Sequence, residues 1–146
     1  MKKYQSITDS QIQVGMSDEF VKEVTQENIE QFAHITGDEN PLHMDDEFAK
    51  TTQFGGRIAH GMYSAALISA VIGMKMPGPG ATYLGQTLTF KAPVHFGDVL
   101  VARAQVSEIK QKTKFKIVTL KTTVTNQDGT VVTDGEATII PAKDSK

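Results

Sequence analysis

Cysteine is absent from the 146 residues, and several chemistries go with it. No disulfide framework, thiol nucleophile or cysteine-ligated metal can be built, and the chain suits a reducing cytoplasm. An excess of either charge is also missing, since 15 basic residues face 17 acidic ones for a net of −2. A balance so close to zero gives no electrostatic case for nucleic acid or an anionic membrane. Long apolar runs are lacking too. The greasiest stretch, Gly61 to Met74, lies between His60 and Lys75 and falls short of the roughly 20 residues a membrane span needs. Met1-Lys-Lys-Tyr-Gln-Ser carries charge with no apolar segment behind it, so it does not read as a signal peptide. There is no internal repeat, low-complexity tract or linker. What remains is 39% hydrophobic with 12 glycines, which fits a single domain over residues 1–146 with a core of its own.

Residues 1–13 are polar and expected to be loosely ordered. Met16 to Val24 reads as a strand. Thr25 is a good N-cap, and Ile29, Phe32, Ala33 and Thr36 then share one helical face. Gly37 stands where a left-handed terminator is expected. Asp45-Asp46-Glu47 places acids at the front of a short helix around Phe48. From His60 to Met76 nearly every position is apolar or small, so this helix is expected to be buried all round until Pro77-Gly-Pro-Gly80 ends it. Alternation then replaces helical spacing. Leu84, Leu88 and Phe90 are expected on one strand face, then Leu100, Ala102, Ala104 and Val106, then Val118, Leu120 and Val124. Lys110 to Lys114 forms a solvated hairpin tip, Asp128-Gly129 turns the chain, and Val131 to Ile140 is the last strand. A long apolar helix followed by about four antiparallel strands is an α+β pattern.

Chemistry concentrates in two pieces. Asp38, Asn40 and His43 follow Gly37 in a loop that Pro41 stiffens. A carboxylate and an imidazole held in such a turn suit proton transfer to and from one water. In Arg57-Ile-Ala-His-Gly61 the glycine falls near a helix start, where free N–H groups favour developing negative charge. A plainer reading stands beside this one: Asp38 caps a turn and His43 is hydrogen-bonded within it. His60 reads as a brace for the helix start, and His34 and His95 as surface or turn residues. The acids near His43 match no metal-ligand spacing. Gly61-Met-Tyr-Ser64 lacks the spacing and preceding strand of a nucleophile elbow.

Thr36-Gly-Asp-Glu-Asn-Pro-Leu-His43 resembles the hydratase motif of the MaoC-like (R)-specific enoyl-CoA hydratases, also called hydratase 2 or MaoC dehydratases. Ile58-Ala-His-Gly-Met62, Tyr83-Leu-Gly-Gln-Thr-Leu-Thr-Phe-Lys-Ala-Pro-Val94, Gly97-Asp98 and Gly135-Glu-Ala137 resemble its later blocks, so the likeness runs from about Val14 to Pro141. It implies a hot-dog fold: a long central helix wrapped by a curved antiparallel sheet, with an overhanging segment carrying the catalytic loop. It further implies a homodimer or dimer of dimers without cofactor. By the same resemblance Asp38 and His43 are the catalytic pair, Asp38 as base for the water and His43 as its partner. Gly61 supplies the amide for the thioester oxygen, Asn40 holds the loop, and Ser69 lies near the substrate. The implied reaction is reversible hydration of trans-2-enoyl-CoA in fatty-acid or hydroxyalkanoate metabolism. Dehydration on acyl carrier protein, thioester hydrolysis and non-catalytic acyl-CoA binding are the alternatives. Lys50, Arg57, Lys75 and Lys91 are available for the CoA phosphates.

Overall fold

Alternating burial organises the second half of the chain, as its spacing predicts. In the computed structural model, which describes residues 3–145, Leu100, Ala102, Ala104 and Val106 are buried on one face of a strand at Val99–Gln111. Val118, Leu120 and Val124 do the same on Lys116–Thr125; on Val131–Ile140 Ala137 and Ile139 alternate, while the adjacent Val132 and Thr133 are both buried beside a register shift. In chain order the elements are β1 (Ser17–Glu23), α1 (Gln26–Thr36), α2 (Pro41–Met44), α3 (Asp46–Lys50), α4 (Gly61–Met74), β2 (Thr82–Gln86), β3 (Thr89–Phe90), β4 (Val99–Gln111), β5 (Lys116–Thr125) and β6 (Val131–Ile140). Every strand pairing is antiparallel, in the order β1-β4-β5-β6-β2, with β3 also on β6. A long helix laid on such a sheet is the hot-dog arrangement.

Three register shifts interrupt simple alternation, the last between Val124 and Thr125 where β5 meets β6. Tyr83 to Phe90 is not one strand with Leu84, Leu88 and Phe90 on a common face. A bulge between Tyr83 and Gly85 adds a residue on β2, which resets the two-residue period. Leu84 and Phe90 are therefore exposed, and the run breaks between β2 and β3. A second bulge, between Val106 and Glu108, lets β4 continue to Gln111, beyond the expected end at Val106. The hairpin tip is correspondingly shorter than the lysine run.

Helix α4 packs against β1, β4, β5 and β6. Tyr63, Ser64, Leu67, Ile68, Val71 and Ile72 form its buried side. Burial all round is not what the single chain shows: Met62, Ala66, Ser69 and Met74 form an exposed stripe, because the sheet covers one side of the helix. Among the described residues no helix is long and apolar enough to cross a membrane.

The N-terminal segment is tied down rather than loose. Ile12 is buried, Ile7 N–H donates to the Pro77 carbonyl at 2.7 Å, and Lys116 pairs with the Asp9 carboxylate at 3.6 Å. The ties are of three kinds, an apolar side chain, a main-chain bond and the Asp9 carboxylate, and the polar composition hides the first two; Met1 and Lys2 lie outside the described residues.

The close approach at Gly135 is a backbone constraint. A Cβ built there would stand 1.8 Å from the Thr87 carbonyl oxygen, which itself belongs to the main chain. Gly135→Ala is expected to cost about 3 kcal/mol or more, since strand and connection must part. The urea midpoint of the variant measures it, and an unchanged midpoint would contradict this packing.

Candidate active site

Local capping builds the loop between α1 and α3. Thr25 opens α1 by accepting from Asn28 N–H at 3.1 Å, and Gly37, at φ +81°, ends it in the left-handed region that glycine tolerates. Asn40 caps α2: its side chain accepts from Leu42 N–H at 3.0 Å, with Pro41 next to it. That places Asn40 as a support of the loop. The Asp38 carboxylate accepts from Asn40 N–H at 3.3 Å, so the turn-capping role anticipated for Asp38 is present. It does not use up the carboxylate, which has further acceptor sites.

His43 is buried while Asp38 is exposed; the partial burial expected for the carboxylate is not found, because nothing in the single chain covers the loop. One donor atom from each of Asp38, His43 and His60 lies within 4.8 Å of the others. His43 Nδ1 stands 2.8 Å from the Ile58 carbonyl oxygen. A carbonyl only accepts, so Nδ1 carries the proton and neutral His43 keeps its lone pair on Nε2. Burial, the largest influence, pushes the His43 pKa below the usual 6.5. His60 pushes the same way, while the Ile58 carbonyl and the Asp38 carboxylate oppose it in part.

Gly61 begins α4, whose N-terminus has no side-chain cap, so its amide is among the unsatisfied donors of the first turn. Ala59 N–H donates to the Val94 carbonyl at 2.8 Å, which fixes the approach to that turn. A Cβ on Gly61 would lie 2.9 Å from the Phe90 ring. Asp38, His43, Gly61 and Phe90 share the wall of a cavity of about 380 Å³. Asp38 also borders a second, largely apolar groove of about 600 Å³ with Phe32, Ala66, Ser69 and Leu88. The structure thus brings Asp38, His43 and Gly61 together at one cavity, with Ser69 on the far side of Asp38.

Several residues have other roles than their types suggested. Arg57 is not free for a phosphate: its Nε donates to the His43 carbonyl at 2.7 Å, it pairs with Glu30 at 3.4 Å, and its guanidinium lies over Phe96. Lys75 donates to the Glu19 carbonyl and Lys50 pairs with Glu47. Lys91 is on the cavity wall, paired with Asp134 at 3.1 Å. His34 and His95 are exposed, as expected. His60 makes no cap bond; its Nε2 reaches the Asp38 carbonyl oxygen at 2.8 Å. His60 Nδ1 and Ser64 Oγ are buried without a hydrogen-bond partner. The adjacency of His60 to Gly61 was the only sequence signal for its place, and Phe90 gave none.

The depressed His43 pKa has a thermodynamic consequence. The unfolded chain takes up this proton near pH 6.5 and the folded chain only at lower pH, so stability from His43 is full above 6.5 and lost as pH falls through the folded value. Urea unfolding from pH 7.5 to 5 is expected to show the gap between wild type and His43→Gln narrowing on acidification. A gap independent of pH would contradict the buried neutral imidazole.

Known proteins resemble this one in sequence and fold. The family model for the MaoC like domain matches residues 9–128. The (R)-specific enoyl-CoA hydratase of Rhodospirillum rubrum is 46% identical over 90% of this chain and 90% of its own. The 3-hydroxybutyryl-CoA dehydratase of Methylorubrum extorquens is 42% identical over 91% and 83%. The structure of R-hydratase PhaJ1 from Pseudomonas aeruginosa superposes with a TM-score of 0.90 at 44% identity, covering 97% of this chain and 89% of that one. Fold and sequence agree, and the chain belongs to the MaoC-like dehydratase family.

Proposed function

We propose that this protein is an (R)-specific enoyl-CoA hydratase, adding water reversibly across trans-2-enoyl-CoA to give (R)-3-hydroxyacyl-CoA. The observation that carries the reading is a neutral imidazole with its Nε2 lone pair free, beside a carboxylate and a helix-start amide on one cavity. The CoA relatives in the family favour CoA as the acyl carrier.

Atoms and protons balance with these residues alone. Water oxygen bonds to C3, one water proton passes to His43 Nε2, and the π pair of C2–C3 moves to leave an enolate on the thioester oxygen. Gly61 N–H and the positive end of α4 face that charge. The proton then passes from His43 to C2 and the carbonyl re-forms. Asp38 accepts the other water hydrogen, orienting the nucleophile, and stabilises the imidazolium while it exists. This ordering moves the role of base from Asp38, where the resemblance put it, to His43, because a neutral Nε2 has no proton to give C2 until it receives one. Every bond change is supplied by water and side chains, so the reaction calls for no cofactor. The apolar groove with Ser69 suits the acyl chain, and Lys91 at the cavity wall suits the CoA end.

A homodimer, closed over the exposed stripe of α4, and a cytoplasmic location complete the reading. Light scattering of the purified protein tests the first: a mass of one chain would remove it.

Asp38→Asn and His43→Ala are each expected to lower hydration of crotonyl-CoA by about 10²- to 10⁴-fold, with folding retained. Gly61→Ala keeps the amide N–H but puts a methyl group against the Phe90 ring where the thioester must seat, and the misplacement is expected to cost about 10²-fold in kcat/KM. Enoyl absorbance measures turnover and chiral analysis the product. Free thiol release would indicate a thioesterase, and faster turnover of crotonyl-acyl carrier protein the carrier-protein dehydratase. Near-wild-type rates in either of the first two variants would remove the mechanism.

A further inference from the structure

His60 is 1% exposed, packed where an apolar ring would lie without cost. Its ring centroid is 3.9 Å from that of His43, tilted by 33°, and Phe32 meets it edge-on at 5.0 Å. Its Nδ1 has no partner, and leaving a buried acceptor unpaired costs stability. A phenylalanine would avoid that cost and keep both ring contacts. What the imidazole adds is the Nε2–H bond to the Asp38 carbonyl, 2.8 Å long. That bond is structurally specific: the carbonyl accepts, so Nε2 holds the proton and Nδ1 is bare.

Asp38 is exposed, and its loop follows a glycine and has no core residue of its own between Gly37 and Asn40. Its main chain is held locally by Asp38 N–H to Thr36 Oγ1 at 3.2 Å and Glu39 N–H to the Gly37 carbonyl at 3.0 Å, and the tie from a distant part of the chain is the bond its carbonyl accepts from His60. The same imidazole therefore touches both members of the pair, one through the main chain and the other through its ring face. We propose that His60 is a positioning residue for hydration, fixing the Asp38 peptide by hydrogen bond while its ring sets the plane of His43. The proposal rests on the hydratase reading and assigns His60 no contact with substrate.

Three variants separate the two contacts. His60→Phe keeps the ring and loses the donor, and His60→Asn keeps polarity with an amide too short for the Asp38 carbonyl. His60→Gln extends an amide N–H to about the place of Nε2. With crotonyl-CoA, Phe and Asn are expected to lower kcat about 10- to 100-fold, as small misplacements do, with KM changed by less than about threefold. Gln is expected to recover at least half of the loss on a logarithmic scale. Imidazole ¹⁵N spectra of the wild type at pH 8 are expected to show Nε2 of His60 protonated and Nδ1 bare, a reading independent of whether any variant folds. Wild-type kcat in the folded Phe variant, a loss carried by KM, a Gln variant no better than Asn, or the opposite tautomer would each overturn the proposal. A wild-type protein that does not hydrate crotonyl-CoA would instead overturn the hydratase reading, which the variants presuppose.

Discussion

The hydrogen bond from His43 Nδ1–H to the Ile58 carbonyl governs the chemistry of the site. It fixes which nitrogen is bare, turns that nitrogen toward the cavity, and does so in surroundings dry enough to keep the ring neutral. Without it the imidazole could present a proton in place of a lone pair, and the water would lose the group that takes its hydrogen. The acceptor is a main-chain group on the entry to α4, the same turn that presents Gly61. Base and oxyanion donor are thus referred to one short piece of backbone, itself pinned to Val94.

Support for that piece comes from several directions. Arg57 joins the His43 carbonyl to Glu30 on α1, so the helix and the loop that follows move as a unit. Caps at Thr25, Asn40 and Asp45 stop and restart the chain three times within about twenty residues. Each cap satisfies backbone donors that a buried helix end would otherwise leave unpaired. The interior beneath α4 is apolar and closely filled by β4, β5 and β6, which gives the loop a rigid floor.

Much of this was written in local sequence. Period-2 spacing marks the buried faces of β4 and β5, the cap residues mark the short helices, and Asp38 to His43 announces a stiff polar loop. Other features are tertiary and left no local trace. A bulge moves Leu84 out of register, and Gly85 beside it is compatible with a bulge without specifying one. The cover on α4 is one-sided, although its sequence is apolar on every face. Arg57 looked available until its partners, Glu30 and the His43 carbonyl, were in place. His60 looked like a helix brace because its neighbour in sequence is Gly61; its hydrogen-bond partner is 22 positions away in sequence. The neutral state of His43 likewise depends on burial and on an acceptor 15 positions distant, so the order of proton transfers could not be read from spacing.

The space denied to a side chain at Gly61 is filled by Phe90, which belongs to a strand of only two residues. That ring borders the cavity but lies outside the helix and the loop that hold the reacting groups. Replacing it reshapes the vestibule while the proton-handling pair and its backbone supports stay as they are. Divergence in how the thioester and its carrier arm are admitted is therefore cheapest at β3, the least substantial element of the sheet.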